Sequence, residues 1–532
     1  MRRWVCVVAV LLLLGSAYAD LQNVQVGGQI EFRGRWYHNA FESGAGPMRP
    51  APVLRIPSTW LPGRTTGQPG GVLGLFRYDD HGNDWAFCEI ATSLNVCADF
   101  TDNVSAFIEF YDFAFWGQDF RSNYLTGVDG RAVTSDDLEV LQSYIELNEV
   151  LGAPLRLRIG RQVLQFGRDL NCWLLAGKTT PTQRFSYDGV RATYTGIEDL
   201  TLDAWWMKLA ENSPLEQDGD TDFYGLYGTY KVSDALKLSG YWLFLRDSQA
   251  VNDTNGTLEM EWLEDLVGLD DYPVTAFHTV GLNANGKINR FDYNVDVSYQ
   301  FGDAGTYGAL FQKPLFGIAY GDDDAEYDHW GMQATIGYTT DTAWSIRPFL
   351  SAVWFEGEDN RDVSFWEWLN PFDVGKASVS FNRLFSDMNF CPVINDNADM
   401  TNYYQVQGGV TMSPTEKLFV LLRAYNTWVD EPFDWPAYIE VGRRWAPGGR
   451  LPIAPGLSFW TEESDDNLGF SLDMVLKYQY SPDLTFMFYY GHLFAGDGLR
   501  DGAYVNSYGN MFNGGIDDDD ADYVFWWAIL KF

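Results

Sequence analysis

The chain has 532 residues, of which 73 are Asp or Glu and 36 are Lys or Arg, for a formal net charge of -37. That balance excludes a general nucleic-acid binder, because a polyanion is held by a basic face that releases its counterions. With 46% hydrophobic residues and 21 Trp, 30 Tyr and 36 Phe, disorder is excluded as the source of the acidity.

The N-terminus reads Met1-Arg2-Arg3, then an apolar run from Trp4 to Leu14, then Ala17-Tyr18-Ala19. This is the layout of a secretory signal peptide over residues 1–19, cut after Ala19. Cys6 lies inside the apolar run, so lipoprotein processing is not expected. Residues 20–532 then form the mature chain, where no run of 18 or more apolar residues predicts a membrane helix. At about 150 residues per soluble domain there is room for three or four, but no linker divides the chain, and one domain is expected.

From there on the dominant signal is alternation at period 2 over ten or more residues. It predicts strands over 24–37, 84–98, 104–116, 138–150, 155–167, 184–195, 200–210, 221–232 and 236–247. The second half gives 274–287, 289–301, 330–340, 344–356, 402–412, 417–428, 466–480, 484–495 and 522–532, eighteen strands in all. The clearest is 290–301, where Phe291, Tyr293, Val295, Val297, Tyr299 and Phe301 oppose Arg290, Asp292, Asn294, Asp296, Ser298 and Gln300. Pro348 is the awkward residue, because it removes a ladder donor and marks either a bulge or a misplaced boundary.

The connections alternate in kind. Turns such as Ser233-Asp234-Ala235, Asp341-Thr342-Ala343 and Ser481-Pro482-Asp483 are short, whereas 38–83, 117–137, 168–183, 211–220, 248–273, 302–329, 357–401, 429–465 and 496–521 are long. Short turns at one end and long loops at the other, with both termini on the short side, predict a transmembrane antiparallel β-barrel in the outer membrane of a diderm bacterium. Aromatic pairs at strand ends, Trp36-Tyr37, Trp205-Trp206, Phe488-Tyr489-Tyr490 and Phe525-Trp526-Trp527, suit interfacial girdles. The alternative is a large secreted all-β protein whose aromatics form a core or carbohydrate platforms.

The segments Leu157-Arg158-Ile159-Gly160-Arg161-Gln162-Val163-Leu164-Gln165-Phe166-Gly167 and Arg184-Phe185-Ser186-Tyr187-Asp188-Gly189-Val190-Arg191 resemble the alginate-export family of outer-membrane barrels. So do Phe291-Asp292-Tyr293-Asn294-Val295, Tyr299-Gln300-Phe301-Gly302, Phe381-Asn382-Arg383-Leu384-Phe385 and Gly491-His492-Leu493-Phe494. The resemblance spans nearly the whole mature chain and implies an 18-stranded barrel that passes an anionic polysaccharide through a basic lumen. The family's alginate exporter has a long periplasmic turn near the C-terminus that helps close the pore; here the corresponding turn is only Ser481-Pro482-Asp483.

Sorting charge by strand face reconciles an acidic chain with a basic lumen. Taking the polar faces as the inner wall, the bases are Arg33, Arg35, Arg156, Arg158, Arg161, Arg191, Lys231, Lys237, Lys287, Arg290, Arg347, Arg423, Lys477 and Lys531. The acids are Glu31, Glu89, Glu109, Glu146, Asp203, Asp292, Asp296 and Asp473, so fourteen bases face eight acids and the inferred wall carries +6. Arg161 faces inward only if a bulge at Gly160 flips the strand's parity. Such a wall either selects carboxylate or sulfate groups or consists of bases and acids paired across strands.

The remaining acids crowd the loops, as in Asp322-Asp323-Asp324 and Asp517-Asp518-Asp519-Asp520. They are solvated, gate the mouth, or hold divalent cations that bridge lipopolysaccharide. Asp218, Asp220 and Asp222 offer oxygen ligands to Ca²⁺, but Thr229 stands where an EF-hand loop needs its last Glu. Apart from that weak Ca²⁺ candidate, no cofactor is expected. No P-loop, dinucleotide or metalloprotease motif occurs, and the five histidines are scattered singly. An enzyme is not expected, a Ser-His hydrolase being the remaining catalytic alternative. Cys88 and Cys97 lie about 30 Å apart on one strand and cannot bond each other; Cys172 and Cys391 are both in long loops and either pair or stay reduced.

The sequence therefore predicts a passive outer-membrane channel for an anionic polysaccharide or oligosaccharide. Its alternatives are a small-solute diffusion porin and a surface adhesion or structural barrel. Outer-membrane lipid and lipopolysaccharide are the expected surroundings.

Overall fold

Eighteen strands form one antiparallel meander in which each pairs with the next and the last pairs with the first. The computed structural model describes residues 23–38, 85–101, 103–116, 138–166, 174, 184–211, 220–248, 274–304, 311–312, 319–320, 326–358, 380–386, 388–393, 401–431, 458–461, 465–500, 502–505, 511–513 and 520–532. The barrel strands are β1 (Asn23–His38), β2 (Trp85–Thr101), β3 (Val104–Phe115), β4 (Glu139–Leu147), β5 (Leu155–Gln162), β6 (Tyr187–Ile197), β7 (Leu200–Ala210), β8 (Thr221–Ser233) and β9 (Leu236–Asp247). They continue as β10 (Thr275–Ile288), β11 (Phe291–Asp303), β12 (Glu326–Tyr338), β13 (Arg347–Phe355), β14 (Tyr403–Thr415), β15 (Leu418–Val429), β16 (Asn467–Gln479), β17 (Leu484–Ala495) and β18 (Ala521–Lys531). Registry between Gln29–His38 and Asp522–Lys531 closes the ring, so no strand edge is left along the closure.

Every predicted strand is present, with ends displaced by at most a few residues. Pro348 marks a boundary. The strand begins at Arg347 rather than at 344, and the β12–β13 ladder starts only at Gly337 opposite Phe349. The proline thus precedes the β12–β13 ladder, while the β13–β14 register runs through it with Pro348 opposite Val410.

Alternation sends apolar side chains outward to lipid, as with Phe32, Leu94, Ile108, Ile159, Trp206, Leu282, Ile336, Leu422 and Trp526. The aromatic pairs expected to form outer girdles split between the two faces. Trp36, Trp206, Tyr490 and Trp526 point out, while Tyr37, Trp205, Tyr489 and Phe525 are buried inside. A period of two residues requires this of any adjacent pair.

The inward rings make an apolar belt toward the long-loop end, with Tyr187, Phe223, Tyr227, Phe277, Tyr327, Phe355, Tyr403 and Tyr523 among its buried members. Against this belt lies a segment of the long connection between β13 and β14. Its Phe381, Phe385, Phe390, Cys391 and Val393 are buried inside the barrel. Two wall glycines make the room: a Cβ on Gly331 would collide with the Phe381 ring, and one on Gly491 would crowd Val393. Burying a Phe ring is worth about 1.5–3 kcal/mol, which holds this segment out of water.

Candidate functional site: the lumen and its charges

Below the aromatic belt the inner wall carries the charges. Arg33 and Arg35 lie two residues apart on β1 and therefore share a face. Both reach Glu89 of β2, at 2.9 and 3.2 Å. Arg158 of β5 makes two bonds to Glu146 of β4, at 3.0 and 2.7 Å. Arg191 of β6 donates to Asp203 of β7 at 2.9 Å, where Thr193 also donates. Arg423 of β15 grips Asp473 of β16 at 2.8 and 2.7 Å, and Arg347 of β13 pairs with Asp292 of β11.

The sequence reading overlooked Arg184, which precedes β6. It donates to Glu31 at 2.7 Å and reaches Glu109 at 3.5 Å. The guanidinium groups also stack on inward rings: Arg158 on Tyr144 at 4.1 Å, Arg184 on Tyr111 at 4.6 Å and Arg191 on Phe166 at 4.6 Å. These contacts fix each fork in place. A niche of about 430 Å³ opens among Arg158, Arg184, Arg191, Lys531, Glu31 and Glu109. The middle of the lumen is thus a set of matched pairs rather than a bare positive wall.

The bases at the short-turn end are different. Arg156, Lys237, Lys287, Lys477 and Lys531 share the inward parity of Arg158, Ser239, Asn285, Asp473 and Trp527 on their own strands. Among the described residues none of the five has a carboxylate partner, and the bond of Arg156 is to Thr193 at 3.5 Å. Lys231, at the same end, is neutralised by Asp234 at 2.7 Å. The hydrogen bond from Lys231 holds that turn carboxyl below its usual range.

Two expected lumen arginines are placed elsewhere. The β4–β5 and β5–β6 registers run unbroken through Gly160, so Arg161 keeps the outward parity of Ile159. It pairs with Asp188 through two 2.8 Å bonds on the outer wall, with its side chain 46% exposed. The bulge needed to turn it inward is absent; Gly160 instead takes a left-handed φ of 126° within an unshifted ladder. Arg290 sits in the short turn between β10 and β11 and pairs with Asp341 of the neighbouring turn, so it belongs to the rim and not the wall.

The Ca²⁺ reading finds no support where it can be followed. Asp220 and Asp222 both face the Lys208 ammonium, Asp222 at 3.9 Å, and Asp222 also accepts a 2.9 Å bond from Trp206; Asp218 lies outside the described residues. Among the described residues no three His, Cys, Asp or Glu side chains are placed to hold a metal. Cys88 and Cys97 carry free thiols. Cys391 lies against Gln405 and Thr427, and its suggested partner Cys172 is outside the described residues.

Solved structures align along nearly the whole chain at low identity. Acinetobacter baumannii OccAB1 has a TM-score of 0.48 and 13% identity, covering 97% of this chain and 98% of that one. Pseudomonas aeruginosa OccD3 (OpdP) gives 0.46 and 11%, covering 97% and 94%, and Pseudomonas aeruginosa OprD gives 0.45 and 12%, covering 97% and 98%. No match was found among curated proteins. The sequence profile described as alginate export matches residues 81–511, from before β2 to beyond β17, and by that match the chain belongs to the alginate export family of outer-membrane β-barrels.

Proposed function

We propose that the barrel is a passive exporter of an anionic, uronate-type polysaccharide or oligosaccharide, which enters from the periplasmic, short-turn end. The observation that carries this reading is the set Arg156, Lys237, Lys287, Lys477 and Lys531 at that end, which has no carboxylate partner among the described residues. Fixed positive charge in a low-dielectric mouth raises the local concentration of anions. Farther in, Arg158, Arg184 and Arg191 already hold carboxylates of the wall, so a uronate exchanges one carboxylate contact for another. Passage then needs no deep binding well, as conduction requires. In this reading residues 1–19 direct export, the outer wall sits among lipopolysaccharide, and the bases of the path are Arg33, Arg35, Arg156, Arg158, Arg184, Arg191, Lys237, Lys287, Arg347, Arg423, Lys477 and Lys531.

The test is the reversal potential of purified protein in a planar bilayer under a salt gradient. Native protein is expected to prefer anions, and an oligouronate added on the short-turn side is expected to block the current. Changing Arg156, Lys237, Lys287, Lys477 and Lys531 to Gln should abolish both, whereas Arg161→Gln, on the outer wall, should change neither. Cation preference in the native protein would overturn the proposal. Anion preference without oligouronate block would favour diffusion of small anions.

A further inference from the structure

The segment inside the barrel is held in two unlike ways. At one end its described polar bonds run to the β11–β15 arc, with Cys391 Sγ 3.4 Å from the Thr427 hydroxyl of β15. Gln300 of β11 pairs with the Asn382 peptide at both ends, accepting from its N–H at 2.7 Å and donating to its carbonyl at 2.8 Å. The Phe381 N–H donates to the Glu356 carbonyl at 3.0 Å, and Thr401 donates to the Phe381 carbonyl at 2.6 Å. Gln405 of β14 donates to the Phe390 carbonyl at 3.2 Å. Arg383 stacks on Phe355 and Phe390 on the same side, at 4.8 and 5.2 Å.

The far end is apolar. Phe385 reaches the β6–β8 wall, with its ring centroid 4.9 Å from Phe223, 5.1 Å from Tyr187 and 5.4 Å from Phe185. Among the described residues its one hydrogen bond, from its N–H to the Leu174 carbonyl at 3.2 Å, does not go to a strand of the wall. Between the two ends Leu384 takes a left-handed φ of 47°, sparsely allowed for a side chain of its size.

We infer that residues 380–386 and 388–393 belong to a gate anchored by Gln300 and Gln405, which opens by withdrawing Phe385 from its aromatic nest on the β6–β8 wall. Directional bonds to a buried peptide are costly to break without replacement. Burial of apolar rings is non-directional and leaves no unsatisfied donor or acceptor when it is lost, so the apolar end is the one that moves. Leu384 supplies the bend and regains an ordinary backbone conformation when the tip leaves. The inference rests on the channel reading above and adds its regulation: flow is set by how long Phe385 stays seated.

Single-channel recording tests it. The triple variant Phe381→Ser, Phe385→Ser, Phe390→Ser releases the segment and defines the fully open level. Phe385→Ala should visit that same level, with its open-to-closed ratio raised about tenfold to a hundredfold over native. Gln300→Ala should replace the single closed level by several unequal ones, because the anchor wanders. Heat-modifiable gel mobility identifies variants that retain the barrel. If Phe385→Ala gates like the native protein while the triple variant opens, the tip is not the moving end and the inference fails. It also fails if the triple variant conducts no more than the native protein. Ion selectivity is read separately: gating without anion preference keeps the gate and removes the polyanion reading, and the converse removes the gate alone.

Discussion

Glu89→Ala should lower the unfolding free energy of the barrel by about 3–5 kcal/mol, the usual cost of removing one partner from a buried charge cluster. Glu89 is 2% exposed and is the carboxylate shared by Arg33 and Arg35. Without it two guanidinium groups remain side by side on β1, and Arg33, also 2% exposed, is not reached by bulk water. Glu89→Gln keeps the volume and an acceptor but not the charge, so most of the loss should persist. The measurement is the urea midpoint of the detergent-folded protein, followed by tryptophan fluorescence. A loss below about 1 kcal/mol would mean that the pair behaves as a solvent-exposed one, and the buried-cluster account would be wrong.

Gly160→Val should cost about 3 kcal/mol or more, for two independent reasons. A β-branched residue at φ 126° is strained wherever it stands. A Cβ there also collides with the Ser143 carbonyl and lies 2.9 Å from the Tyr144 Cα of the facing strand. The location amplifies the effect, because the β4–β5 register spans only Ser143 to Leu147 against Leu157 to Arg161. Amide exchange should quicken first at Tyr144 and Ile159, ahead of the rest of the barrel. Uniform loss of protection along all strands would instead assign Gly160 no local role.

The strands were legible because a wall with lipid on one side and water on the other writes its pattern directly into period-2 alternation. The same parity puts Arg33, Arg158, Arg191 and Arg423 on the face where they meet Glu89, Glu146, Asp203 and Asp473. It could not show how many of them are neutralised, since that depends on which residue of the next strand stands opposite. Arg158 meets Glu146 only through the register set by the turn at 148–154. Arg161 misled because a glycine before it suggested a bulge, whereas the backbone absorbs the irregularity as a positive φ without a register shift. Arg184 escaped because the predicted strand began at 184, where alternation gives it the parity opposite to Arg191, whereas the strand begins at Tyr187 and Arg184 precedes it. The inward segment has no periodicity at all; its one visible signal was Phe381-Asn382-Arg383-Leu384-Phe385, a cluster of rings in a loop that has no reason to be apolar if it faces water.

The unpaired bases stand at one end of the passage and the apolar constriction at the other, so the fixed charge along the axis has no mirror plane. Mobile anions accumulate in the short-turn mouth under one sign of voltage and are depleted under the other. If the barrel conducts as proposed, and with these bases lacking carboxylate partners among the described residues, it is expected to rectify, passing unequal currents at equal and opposite potentials. In about 0.1 M salt the screening length of about 10 Å lets the basic mouth act on passing ions, and in about 1 M salt, at about 3 Å, the asymmetry collapses. The sign of the larger current reports which way the barrel has inserted, giving every bilayer recording its own compass.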